Sequence, residues 1–197
     1  MSPTTSPRAI DRVRLRSAAV AVLTGATLLG GAAAPPPAQA ACVLNLVVIP
    51  CLEASFPADV SLGTALDAGT TTTSAQQSVV VSSNQSWGLR IQSDLADGRM
   101  RQWNGSAYVA SPRNLTNPLT WGLTSLGGIP QTPSYTALTS SPTTVVTAQG
   151  ATGCVLGLAC GTTTVGIRQR LTTTFSDRRV SPDTYRLRVT YTASHGY

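Results

Sequence analysis

The stretch TYRLRVTYT, at residues 184–192, indicates the class of fold. Its aromatic and aliphatic residues stand at every second position, and arginine and threonine fill the positions between them. Successive side chains of a β-strand point to opposite faces, so this period predicts a strand with one buried face and one face in water. An α-helix would require a period near 3.6 residues instead.

The same period recurs in the rest of the chain. It predicts strands around residues 87–91 and 119–124, with further candidates at 43–49, 78–83, 99–103, 107–109, 143–147 and 163–175. Asn104-Gly105 predicts a type I′ hairpin turn between two of these. Prolines separate the candidates, and residues 127–141, which lack a pattern, are predicted to form a long surface loop. We therefore expect an all-β fold, a single antiparallel β-sandwich of seven to ten strands.

The N-terminus has the layout of a secretory signal peptide. Four arginines precede an apolar stretch at residues 18–34, and Ala38-Gln39-Ala40 supplies a cleavage site with small residues. The apolar stretch is too short, and too rich in Ala and Gly, for a membrane anchor. We expect residues 1–40 to be the signal peptide and residues 41–197 to form one β-sandwich domain. That domain is predicted to be secreted, extracellular or at the cell surface, with no membrane span in the mature chain.

The residues of the predicted mature chain argue against catalysis. It carries ten arginines against seven acidic residues, which leaves a net charge of +3, and it has no lysine. His195, the only histidine of the chain, lies two residues from the C-terminus, and no Gly-x-Ser-x-Gly motif occurs. We expect no enzymatic activity and no cofactor. Export and the modest charge also argue against nucleic acid as a partner.

Four cysteines, Cys42, Cys51, Cys154 and Cys160, are typical of disulfides in an exported protein. Their spacing matches neither a metal site nor a redox-active Cys-x-x-Cys motif. Four cysteines allow three connectivities. We favour the two local pairs because each brackets an apolar segment with a predicted bend.

The arginines are concentrated near the C-terminus. Arg168, Arg170, Arg186 and Arg188 would form a basic stripe if they shared the exposed face of neighbouring strands. Such a stripe could hold a polymer that carries phosphate or carboxylate groups. The alternative is a solvated outer face that discourages association between sheet edges.

Arg99, Arg101 and Trp103 alternate on one face of the predicted hairpin, with Tyr108 across the turn. Aromatic rings and guanidinium groups on an exposed sheet can stack on sugar rings and form bidentate hydrogen bonds. These four residues are the candidate binding site for a cell-wall or extracellular polysaccharide.

Asp94 and Asp97 lie at a predicted turn before this hairpin. Their carboxylates could share one calcium ion, or they could simply cap the turn. Calcium loops usually supply more acidic or amide ligands than two, so we assign no metal site.

Several segments resemble secreted bacterial surface proteins. Residues 79–89, VVVSSNQSWGL, resemble the strand, turn and Trp-led strand of immunoglobulin-like domains. The Trp-x-Leu motifs at Trp87 and Trp121 are similar to the paired motifs of the WxL family of cell-surface proteins. Residues 181–191, SPDTYRLRVTY, resemble the last strand of spore-coat-U-like and pilin-like proteins. These resemblances imply an immunoglobulin-like sandwich with a surface or matrix role and no catalysis.

We therefore expect a non-catalytic secreted or cell-surface protein with a structural or adhesive role. The alternative is a carbohydrate-binding module. A further hypothesis is self-assembly by strand exchange, in which one subunit completes the sheet of another. Residues 43–49 are best placed to act as the donor strand, although a disulfide between Cys42 and Cys51 would restrict that use.

Overall fold

The described part of the chain consists of β-strands and contains no helix, which confirms the predicted all-β class. The structure, a computed structural model, describes residues 13–19, 51–63, 67–153 and 161–196. Fourteen strands lie in these ranges, more than the seven to ten predicted, because five of them contain only two or three residues. The strands are β1 (Val13–Ala19), β2 (Leu52–Ser55), β3 (Val60–Gly63), β4 (Thr71–Thr73), β5 (Gln77–Ser83), β6 (Trp87–Ser93), β7 (Arg101–Trp103), β8 (Thr120–Leu126), β9 (Ile129–Pro130), β10 (Thr136–Ala137), β11 (Thr143–Gln149), β12 (Thr163–Thr172), β13 (Thr184–Arg186) and β14 (Arg188–His195).

The long strands form two sheets. One sheet has the order β11-β6-β14-β1-β3. The other has the order β10-β8-β12-β5-β2, in which β4 also pairs with β12 and β9 with β8. A small third sheet pairs β13 with β7. The described pairings are antiparallel except that between β1 and β14, which is parallel. Two sheets that share one core are consistent with the predicted sandwich.

Alternating residues of both sheets build the core. In β6 the side chains of Trp87, Leu89 and Ile91 are fully buried, whereas Arg90 is exposed. Trp121 of β8 is also buried. Both tryptophans of the Trp-x-Leu motifs therefore fill the core, where large aromatic side chains contribute most of their burial energy.

Residues 184–192 do not form one strand, as their alternation predicts, but two strands in different sheets. Strand β13 pairs with β7, and β14 pairs with β6. Tyr185, Arg186 and Leu187 are buried in succession, so the alternation of the two faces is interrupted there. Arg188 is exposed again, and the period resumes from it.

The turn at Asn104 and Gly105 is not of type I′. Gly105 has a φ of 102°, but Asn104 does not have the positive φ that this turn requires at both central positions. The Asn104 side chain instead accepts a hydrogen bond from the backbone N of Ala107 at 2.9 Å, which caps a wider loop. As a result, the strand predicted at residues 107–109 is reduced to a single bridge with Trp103.

Residues 127–141 are not one unpaired loop, because β9 and β10 lie within them and pair with β8. This pairing lays the segment over Gly122. A Cβ atom at Gly122 would lie 3.0 Å from the Pro133 Cβ and 3.4 Å from the Tyr135 Cδ1. The missing side chain at Gly122 therefore allows Pro133 and Tyr135 to cover the outer face of β8.

Candidate functional sites

Strand β1 lies inside its sheet, between β14 and β3. Its residues 16–19 pair in parallel with residues 188–191 of β14, and Leu15 pairs with Val60 of β3. The strand thus hydrogen-bonds to a neighbour on each side. All of β1 falls within residues 1–40, the predicted signal peptide.

The core beside β1 is built from β14 and β3. Val189 and Tyr191 are 2% and 1% exposed, and Val60 and Leu62 are 4% and 3% exposed. Among the described strands, β3 pairs with β1 alone. Loss of β1 would leave β3 unpaired, give β14 an open edge and uncover part of this core.

Trp103 and Tyr108 contact each other across the hairpin loop. Their ring centroids are 5.2 Å apart and the rings are nearly perpendicular, at 85°. The guanidinium carbon of Arg186 lies 5.0 Å from the Trp103 ring centroid. These three residues, with Leu187 and Arg188, line a small surface cleft. The structure thus brings together two of the four predicted polysaccharide-binding residues and adds Arg186, which the sequence grouped with the basic stripe.

Tyr108 is held in place by Asp94. The Tyr108 hydroxyl donates to the Asp94 Oδ2 at 2.8 Å, and the Asp94 Oδ1 accepts from the backbone N of Arg188 at 3.1 Å. Burial, together with the hydrogen bond to Asp94 and the charge of its carboxylate, raises the pKa of the Tyr108 hydroxyl well above its ordinary value. The hydroxyl therefore stays protonated, and can donate to Asp94, even in alkaline solution where an ordinary tyrosine begins to ionise.

Arg99 and Arg101 do not line this cleft. Arg101 is half-buried, and its Nη2 lies 3.6 Å from the Asp97 Oδ2. Arg99 is exposed, and its backbone N donates to the Asp97 Oδ1 at 3.2 Å. Asp94 and Asp97 thus have separate hydrogen-bonding and ionic partners. Within the described ranges, no group of three or more His, Cys, Asp or Glu side chains could hold a metal ion.

The four arginines of the predicted stripe are divided between different sheets. Arg168 and Arg170 lie on β12, Arg186 ends β13 and Arg188 begins β14. Arg186 is also only 8% exposed. The single stripe expected from the sequence is not formed, because it required β12 and the C-terminal strands to be neighbours. Arg170 instead stacks on Tyr135, with the guanidinium carbon 3.8 Å from the ring centroid.

His195 and Cys51 join the end of β14 to the start of β2. The His195 Nε2 lies 3.1 Å from the Ser83 Oγ and 3.3 Å from the Cys51 carbonyl oxygen. Cys51 is bonded in a disulfide. The other three cysteines, Cys42, Cys154 and Cys160, lie outside the described residues, as does the strand predicted at 43–49. The local pairing of the cysteines therefore stays a prediction.

Sequence reasoning missed two residues at these sites, Asp94 as the anchor of Tyr108 and Tyr135 as the partner of Arg170. Asp94 follows β6, and its distance from Tyr108 along the chain gives no local signal of contact. Tyr135 lies in a segment without alternation. Only the pairing of β10 with β8 brings it beside β12.

Comparisons of the chain with protein-family models, with curated proteins and with solved structures found no match. In the part of the chain that the structure describes, no helix is long and apolar enough to cross a membrane. The likeness to secreted immunoglobulin-like surface proteins rests on the motifs quoted above and stays a prediction.

Proposed function

We propose that this chain is a non-catalytic secreted or cell-surface β-sandwich protein of immunoglobulin-like type, with a structural or adhesive role. We further propose that it assembles when a strand from a neighbouring copy completes its sheet. The observation that supports this proposal is the position of β1 between β14 and β3. Because β1 lies within the predicted signal peptide, cleavage after Ala40 would remove it from the sheet.

The loss of β1 would leave one sheet of the isolated mature chain without a strand. Strand β3 would have no partner among the described strands, and β14 would keep β6 alone. The core residues Val60, Leu62, Val189 and Tyr191 would lose part of their cover. Full burial of an apolar side chain contributes about 1.5–3 kcal/mol. An incoming strand would restore both the backbone hydrogen bonds and this burial, as in known strand-addition interfaces.

Residues 43–49, VLNLVVI, are the candidate donor strand. This segment has seven residues, as β1 has, and Asn45 is its only polar residue. A disulfide between Cys42 and Cys51 would bring the two ends of the segment within about 7 Å and prevent it from being fully extended. The partner of Cys51 therefore decides whether residues 43–49 or another segment donates the strand.

The oligomeric state of the mature chain, residues 41–197, tests this function. Size-exclusion chromatography with light scattering over a concentration series should show assemblies that grow with concentration. An excess of a peptide of residues 12–20 should dissociate them by filling the position of β1, whereas a scrambled peptide should not. A monodisperse monomer at every concentration, unaffected by the peptide, would contradict the proposal.

A carbohydrate-binding module is the second candidate function, and the cleft at Trp103 supports it. An aromatic ring beside a guanidinium group can stack on a sugar and form hydrogen bonds to it. Retention of the mature chain on polysaccharide should fall with Trp103→Ala. Phe175→Ala is the control, because it removes an aromatic ring that is 90% exposed elsewhere. Equal retention of the wild type and Trp103→Ala would exclude this function for the cleft.

A further inference from the structure

The outer face of β12 carries two arginines whose guanidinium groups have no carboxylate partner among the described residues. Arg168 is exposed and Arg170 is half-buried, whereas the residue between them, Gln169, is buried. Residues two apart on a strand point to the same face, about 7 Å from each other. Arg168 and Arg170 therefore present two positive charges side by side.

Tyr135 holds one of these guanidinium groups in position. The Arg170 guanidinium carbon lies 3.8 Å from the ring centroid, within the range of a cation–π contact. The ring also covers Gly122, which pairs with Arg168 in the ladder between β8 and β12. The ring thus lies beside both arginines and restricts the rotamers of Arg170, which reduces the entropy lost when a ligand binds.

Threonine hydroxyls border the two arginines on the β4 side. Thr73 pairs with Arg170, and Thr71 pairs with Thr172, with their hydroxyl oxygens 2.8 Å apart. Thr71, Thr73 and Thr172 are all exposed. Hydroxyl groups can donate hydrogen bonds to sugar hydroxyls and accept them as well.

We propose that this face binds the carboxylate groups of an acidic extracellular polysaccharide. The β12 platform is defined as Arg168, Arg170, Thr172, Thr71, Thr73 and Tyr135. Two adjacent guanidinium forks match the geometry of carboxylates, and the threonines match the sugar hydroxyls. This inference rests on the proposed adhesive function, because an extracellular polysaccharide can be the ligand only if the chain is exported. It does not depend on strand completion.

Isothermal titration of the mature chain with polygalacturonate tests the platform. Arg168→Ala/Arg170→Ala should weaken binding about tenfold or more, because each charge-assisted hydrogen bond that is lost costs roughly a factor of ten. Arg113→Ala/Arg178→Ala removes the same charge from exposed arginines elsewhere and should leave the affinity within about twofold of the wild type. Equal weakening by the two double variants would overturn the proposal, because it would mean that net charge alone drives binding.

Two further variants separate charge from geometry. Arg168→Lys/Arg170→Lys keeps both charges but loses the planar forks, and it should still weaken binding several-fold. Tyr135→Ala should weaken binding through the loss of the stack, while Tyr135→Phe, which keeps the ring, should bind more tightly than Tyr135→Ala. Wild-type affinity in the lysine variant would contradict the proposed bidentate contact.

Two other measurements complete the test. Linear polyphosphate, which has anionic oxygens but no sugar hydroxyls, should bind more weakly than polygalacturonate, and equal binding would overturn the assignment to a polysaccharide. The oligomeric state of Arg168→Ala/Arg170→Ala should equal that of the wild type, because the platform lies on a different sheet from β1. If the arginine variant loses polymer binding but still assembles, the result supports the platform alone. If the wild type does not assemble, the proposed strand completion is wrong, whatever the platform binds.

Discussion

Gly98→Ala should destabilise the fold far more than Gly105→Ala, although both glycines have positive φ, 61° and 102°. A Cβ atom at Gly98 would overlap the carbonyl oxygen of Leu138, whereas a Cβ atom at Gly105 would meet nothing within 4 Å. Leu138 is 1% exposed, and its backbone N donates to the Leu119 carbonyl oxygen at 2.9 Å. The Leu119 backbone N in turn donates to the Gly98 carbonyl oxygen at 2.8 Å, so the clash falls inside a hydrogen-bonded core.

The expected magnitudes differ by the cost of that clash. A left-handed conformation costs a non-glycine residue about 1–2 kcal/mol, and this cost applies at both positions. Overpacking a core adds about 1–3 kcal/mol, and it applies at Gly98 alone. We therefore expect the free energy of unfolding to fall by about 2–5 kcal/mol for Gly98→Ala and by about 1–2 kcal/mol for Gly105→Ala. Urea denaturation followed by tryptophan fluorescence, at one protein concentration, measures both. Losses that agree within about 0.5 kcal/mol would refute the close contact between Gly98 and Leu138.

Substitutions of Asp177 and Tyr191 should each lower the free energy of unfolding, the first in a way that depends on pH. Burial alone would raise the pKa of Asp177, but hydrogen bonds such as that from the Thr174 backbone N, at 2.7 Å, hold the pKa below its ordinary value. Asp177 therefore stabilises the fold above the unfolded pKa of about 3.9 and loses this effect as the pH falls through the folded pKa. Asp177→Asn should cost about 1 kcal/mol at pH 7 and progressively less in acid. The exposed Asp67→Asn is its control, and equal pH profiles for the two variants would contradict the assignment. Tyr191→Phe leaves the buried Gln169 Nε2 without the hydroxyl that it contacts at 2.9 Å and should cost about 1–3 kcal/mol. The double variant Tyr191→Phe/Gln169→Leu should lose less stability than the two single variants lose in sum. Strictly additive losses of stability would count against the contact.

Alternation in the sequence predicts the positions of β5, β6, β8 and β11 well. In β5 and β6 every second residue is buried along most of the strand, so burial sets the period directly, whereas β8 and β11 are buried over only part of their length. The split of residues 184–192 could not be predicted, because Arg186 follows the alternation in the sequence but is buried beside Trp103. Which strand a segment pairs with depends on residues far away in the chain.

Contacts at the candidate sites could likewise be predicted only between residues close together in the sequence. The contact between Trp103 and Tyr108 could be predicted, because one short loop connects the two residues. The four-arginine stripe could not, since it depends on strand order, and β12 pairs with β8, β5 and β4 whereas β14 pairs with β6. A single sequence contains no local signal for that order.

Backbone hydrogen exchange of the mature chain in β3 and β14 tests strand completion most directly. Strand completion predicts that the amides of residues 60–63, and those amides of residues 188–191 that point away from β6, exchange quickly in the dilute monomer and become protected as the chain assembles. Strand β12 has partners on both sides and should be protected at every concentration, so it serves as the internal reference. Protection of these amides in the dilute monomer, equal to that of β12, would show that the sheet needs no added strand and would contradict the proposed assembly.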